Sequence, residues 1–156
     1  MAPSRIIDTG RFADSDNFYG AEAAVLFDKL WAAGEYGVTK ASGSGVNADG
    51  DFSGLYGEVG MFFGGNRVYK DGKFNRPKVD NPFGEGGYGA VSVVARYDSL
   101  DLQDGPYLGE LDTIVLGVDW WPTKQTRVGL NYFDTDAENG SAEGGSGLVA
   151  RVGFDF

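Results

Sequence analysis

Hydrophobic and polar positions alternate with period two along most of this chain. The clearest run is the last, 146–156, where Leu148, Ala150, Val152, Phe154 and Phe156 share one face. Val149, Arg151, Gly153 and Asp155 share the other. Successive side chains on a strand point to opposite faces, so the run predicts a strand with one apolar side. The segment 126–136 sets Val128, Leu130 and Tyr132 against Arg127, Gly129 and Asn131. In 111–121, Ile114, Leu116, Val118 and Trp120 oppose Thr113, Val115, Gly117 and Asp119. In 88–99, Val91, Val93, Ala95 and Tyr97 oppose Ser92, Val94, Arg96 and Asp98. In 52–63, Leu55, Val59, Met61 and Phe63 oppose Tyr56, Glu58, Gly60 and Phe62. The segment 30–40 sets Tyr36 and Val38 against Ala33, Glu35 and Thr39. In 17–28, Tyr19, Ala21, Ala23, Val25 and Phe27 oppose Gly20, Glu22 and Ala24. A weaker pattern over 4–12 completes eight predicted strands. None of these runs has the 3.6-residue spacing of a helix.

The pattern predicts an all-β, antiparallel protein, but it fits two environments. A soluble sandwich turns its apolar face inward, whereas a transmembrane β-barrel turns it to lipid and lines its lumen with the polar face. Three features favour the barrel. The strands exceed the globular mode of ~5–6 residues. Trp31, Trp120, Trp121, Tyr132 and Phe156 lie near strand ends, like an interfacial girdle. Mid-strand charges fall on the less apolar face, where a watery lumen would hold them.

Connection lengths then assign the two ends. In outer-membrane barrels short turns are periplasmic and long loops extracellular. With Phe156 at the periplasm, the turns near Lys29-Leu30 and over 122–125 are periplasmic and short. The Ser42–Asp51, Asp101–Gly109 and Glu138–Gly145 connections are extracellular. Gly64–Gly87 breaks the rule, joining strands on the periplasmic side with about two dozen residues. Structureless loops that long are usually functional or disordered.

Composition narrows the function. A length of 156 residues fits one domain, 1–156. Without cysteine there is no disulfide framework or thiolate chemistry, and without histidine the commonest general base and metal ligand are missing. The formal charge of −10 argues against nucleic acid as a partner. No run of ~18 apolar residues predicts a transmembrane helix, but a spanning β-strand needs only ~9–11 alternating residues. The N-terminus lacks the basic-then-apolar pattern of a secretion signal. An exported protein would have lost that signal or would carry it upstream.

Several segments, in order, resemble the phosphate-selective porin O/P family. They include Asn17-Phe18-Tyr19-Gly20-Ala21-Glu22-Ala23-Ala24, Gly34-Glu35-Tyr36 and Phe52-Ser53-Gly54-Leu55-Tyr56. Tyr69-Lys70-Asp71-Gly72-Lys73-Phe74-Asn75-Arg76-Pro77-Lys78 and Asn81-Pro82-Phe83 follow, then 95–102 and Leu116-Gly117-Val118-Asp119-Trp120-Trp121-Pro122. The resemblance implies trimeric porins of about 16 strands that pass phosphate or polyphosphate through the bacterial outer membrane. Only their C-terminal half is matched. Their constriction loop and most of their arginine-lined path belong to the other half, so no binding residue is carried over from there. Implied partners are outer-membrane lipid and lipopolysaccharide, small anions, two further copies in a homotrimer, and the barrel-assembly machinery reading Phe156.

The residues themselves offer two lumen features. The long periplasmic connection holds Arg67, Lys70, Lys73, Arg76 and Lys78 against Asp71, Asp80 and Glu85, and five minus three leaves a local charge of about +2. Such a segment, folded into the mouth, would attract anions; a solvated loop is the plainer alternative. On the strands, Glu22, Glu35 and Glu58 come early and Arg96, Arg127 and Arg151 late. Facing rows would set a field across the pore, whereas local pairing would only offset the cost of enclosing charge. Inward glycines Gly20, Gly60, Gly117, Gly129 and Gly153 are expected to leave space.

Other chemistry is thin. Acidic residues of the outer loops, Asp101, Asp104, Glu110, Asp112, Asp134, Asp136, Glu138 and Glu143, could meet divalent cations that bridge lipopolysaccharide, but solvated loops are the stronger reading. Asn47-Ala48-Asp49-Gly50-Asp51 is only loosely EF-like, and the glycine pairs lack a phosphate-loop context. No metal, cofactor or catalytic residue is expected, and the chain is not expected to be an enzyme. Three architectures are consistent with this reading: half of a ~16-stranded porin, a self-closed eight-stranded barrel with little transport, and a soluble sandwich.

Overall fold

The structure is a computed structural model that describes residues 13–44, 49–104, 109–139 and 143–155. It holds β1 (Ser15–Phe27), β2 (Leu30–Ser42), β3 (Gly50–Phe63), β4 (Gly65–Lys70), β5 (Lys73–Val79), β6 (Ala90–Asp101), β7 (Glu110–Thr123), β8 (Thr126–Glu138) and β9 (Gly144–Phe154). Seven strands form one sheet in the order β1-β2-β3-β6-β7-β8-β9, and β4-β5 form a separate hairpin. Every neighbouring pair is antiparallel. Seven of the eight expected strands are present within a few residues of their expected bounds, and the eighth, 4–12, lies outside the described residues.

Among the described residues the sheet is a simple meander whose outermost strands are β1 and β9. Its first and seventh strands run parallel to each other, so pairing them would close an odd-numbered barrel. Single-chain bacterial barrels have even strand numbers. Among the described residues the sheet therefore does not close on itself.

One face of the sheet is a broad apolar surface. Ile114, Leu116 and Val118 are 50–52% exposed, and Val59, Leu130, Val152 and Phe154 continue the surface along neighbouring strands. Among the described residues no second layer covers it. A sandwich would bury such a face, but the second sheet here, β4-β5, packs on the other side. An apolar surface this continuous marks a lipid or partner surface, as expected for a barrel wall.

The long connection is the main correction to the sequence reading. Instead of a structureless loop, 64–89 contains β4 and β5, joined by a two-residue turn at Asp71-Gly72. Both turn residues have positive φ, 56° and 74°, as a type I′ hairpin turn requires. At its root Gly64 also has positive φ, and a Cβ on Gly65 would run into the Lys78 carbonyl oxygen. These glycines let the chain fold back onto the polar face of the sheet.

There the hairpin builds a small apolar core. Trp31, Phe62, Ala90 and Trp121 are buried together, with Phe74 and Val79 of the hairpin and Val94 of the wall packed against them. Trp31 and Trp121 are thus corrected from girdle to core residues. The reason is strand parity: Trp121 follows the outward Trp120, so it must point inward. Trp120 stays on the outward face, donating its indole N–H to the Tyr88 carbonyl oxygen at 2.7 Å and meeting Phe83 edge-on at 6.3 Å.

Candidate functional site in the lumen

The polar face is paved with side chains lying flat over glycines. The Phe18 ring covers Gly20 and Gly37, and a Cβ on Gly20 would come within 2.9 Å of it. Trp31 lies over Gly60, Phe52 over Gly50, Asn131 over Gly117 and Asp119 over Gly129. Of the inward glycines expected to leave space, only Gly153 is open. The others hold rings and polar groups against the wall, so the space is used for packing beside the lumen rather than added to it.

The strand charges are partly paired. Glu58 and Arg96 face each other in register across β3 and β6, with Nη1 3.7 Å from Oε2. Arg96 Nε also donates to both Asp98 oxygens at 2.9 and 3.0 Å, and its guanidinium carbon lies 3.9 Å from the Tyr56 ring centroid. Trp31 Nε1 donates to Glu58 Oε1 at 3.2 Å. Arg127 binds the buried Asp119 with two hydrogen bonds, at 2.8 and 2.7 Å. The expected opposed rows are therefore cut in the middle by local pairs. Glu22 and Glu35 at one side and Arg151 at the other have no ion-pair partner among the described residues. Sequence reasoning overlooked the partners Asp98 and Asp119, although both lie on the lumen parity of their strands.

The five basic residues of the long connection all lie on or beside the hairpin, but in different settings. Arg67 points into the wall, with its guanidinium carbon 4.4 Å from the Phe74 ring centroid and 5.2 Å from that of Trp31. Its Nε is buried without a hydrogen-bond partner. Burial lowers the Arg67 pKa from its ordinary value, Glu58 and Asp119 oppose that shift, and the nearby Arg127 adds to it. Arg76 Nε lies 3.3 Å from Asp155 beyond β9, and Lys78 pairs with Asp80 at 3.2 Å. Lys70 and Lys73 at the tip are exposed. The tip overhangs β1 and β2, where Glu22, Ala33, Tyr56, Tyr69, Lys73 and Phe74 share a cleft. The hairpin thus spans the lumen face from the end of β9 to the β1-β2 wall, at the end assigned to the periplasm.

The acidic residues of the opposite end sit on the outward parity of β7 and β8. Glu110 faces Glu138 and Asp112 faces Asp136 across the register. No group of acidic side chains among the described residues has metal-holding geometry. Asp49 accepts from the Gly43 amide and Asp51 pairs with Lys40 at 2.7 Å, so these two organise their own loop.

This geometry is a sheet with one exposed apolar face, a charged inner face and an inward hairpin. An uncharacterized protein of Caulobacter vibrioides is 35% identical over 132 residues, a match covering 83% of this chain and 27% of that protein. The chain thus spans about a quarter of that relative's length. The family described as "Phosphate-selective porin O and P" matches residues 1–156. That family is one of bacterial outer-membrane porins. The chain belongs to the phosphate-selective porin O and P family.

Proposed function

We propose that the chain forms part of the wall of an outer-membrane porin that passes small anions, such as phosphate, by diffusion, with β4-β5 narrowing the periplasmic mouth. The observation that carries this reading is the inward hairpin. It brings Arg67, Lys70, Lys73, Arg76 and Lys78 to the lumen face of a chain whose overall charge is −10. A local basic segment in a low-dielectric channel concentrates anions by focusing the field. Lysines there act as point charges, and arginine offers a fork of donors to phosphate. In the same reading, the outer face meets outer-membrane lipid and lipopolysaccharide, the barrel trimerises, and the assembly machinery reads Phe156.

The test is the reversal potential of the reconstituted protein in a salt gradient. Replacing all five basic residues with Gln is expected to move that potential toward cation preference, while a channel remains. An unchanged anion preference would remove the hairpin from selectivity, and absence of any conductance would remove the pore.

A further inference from the structure

We propose that the cleft between the β4-β5 tip and the β1-β2 wall binds a small dipolar solute, its cationic end on Glu22 and its anionic end on Lys73. The cleft has a volume of about 270 Å³ and takes in Glu22, Tyr56, Tyr69, Lys73 and Phe74. This is just below the usual range of ~300–1,000 Å³ for drug-sized ligands, and it suits a solute the size of an amino acid.

Its charges are opposite and unspent. Glu22 and Lys73 both line the cleft, yet no ion pair joins them, and neither has a partner elsewhere among the described residues. A pure anion would meet Glu22, and a pure cation would meet Lys73. A solute carrying both charges complements both walls.

The acidic wall is stronger than it first looks. Glu22 stands directly opposite Glu35 in the β1-β2 register. Side chains at such positions share a face with Cβ atoms ~4.5–5.5 Å apart, and like charges there are destabilising. An ammonium or guanidinium between them would relieve that repulsion. The neighbouring rings supply the apolar flank. Tyr69 and Phe74 meet edge-on at 5.2 Å. The site exists because the hairpin folds inward; Glu22 is on β1 and Lys73 on β5, 51 positions later.

This inference goes beyond the anion reading and does not depend on it. Titration calorimetry of the detergent-solubilised protein with 4-aminobutyrate tests it, with butyrate and butylammonium as single-charge controls. 4-Aminobutyrate is expected to bind at least about tenfold more tightly than either control, and Glu22→Gln or Lys73→Gln to remove that advantage. Lys73→Glu, at an exposed tip position, is expected to reverse the order in favour of butylammonium. Equal binding of butyrate would make this an anion site only. Equal binding of butylammonium would make it a cation site only, and no binding of 4-aminobutyrate would remove the site. Binding without conductance would overturn the porin reading and leave this one standing.

Discussion

Single residues in this wall act through what lies flat upon them. Gly60 is the sharpest case. A Cβ there would collide with the Trp31 ring, which is itself 4% exposed and packed against Phe62 at 5.4 Å. Gly60→Ala is therefore expected to lower stability by about 1–3 kcal/mol through overpacking. Gly57, with nothing within 4 Å of its would-be Cβ, is the control; Gly57→Ala is expected to stay within about 0.5 kcal/mol. Urea unfolding in detergent measures both. Equal effects would mean that the Trp31 seat contributes nothing. The alternation identified Gly60 as inward from sequence alone. That Trp31 fills the space could not be read there, because the partner lies on the adjacent strand, 29 positions away.

At the level of elements, the strands and the hairpin were legible to different degrees. The seven sheet strands follow from period two, since half their residues must face lipid and half the lumen. β4-β5 was read as a loop because its pattern is short and rich in lysine. Yet a local signal was present: Asp71-Gly72 between Tyr69-Lys70 and Lys73-Phe74 is a strong short-range mark of a hairpin. Its inward fold had no comparable mark. That depends on Phe74 and Val79 reaching Trp31, Phe62, Ala90 and Trp121, which come from four separated segments. Phe74→Ala is expected to loosen the hairpin by about 2–4 kcal/mol while leaving the sheet intact. Acrylamide should then quench Trp31 and Trp121 more readily, with an unchanged far-ultraviolet β signal. Unchanged quenching would show that the hairpin is seated by other contacts.

For the whole molecule, the deciding question is what pairs with β1 and β9, the outermost strands of the described sheet. β1 and β9 run parallel at the two ends of an antiparallel meander. The chain has no native cysteine, so engineered pairs report without background. Cysteines placed one at a time along the expected strand 4–12, each with Ala150→Cys on β9, are expected to give no intramolecular disulfide in the membrane-inserted protein. Efficient cross-linking would establish self-closure and favour a small barrel over part of a larger one.

The amino-acid sequence by itself determined the class of this protein. Period-two alternation, strand length and loop parity are local consequences of a pleated backbone between lipid and water, and they were readable residue by residue. Tertiary structure alone decided what the inner face became. Which glycines were covered, which charges found partners and where the long connection went all depend on contacts between residues far apart in the chain. Alternation states only which side a residue faces, not what meets it there.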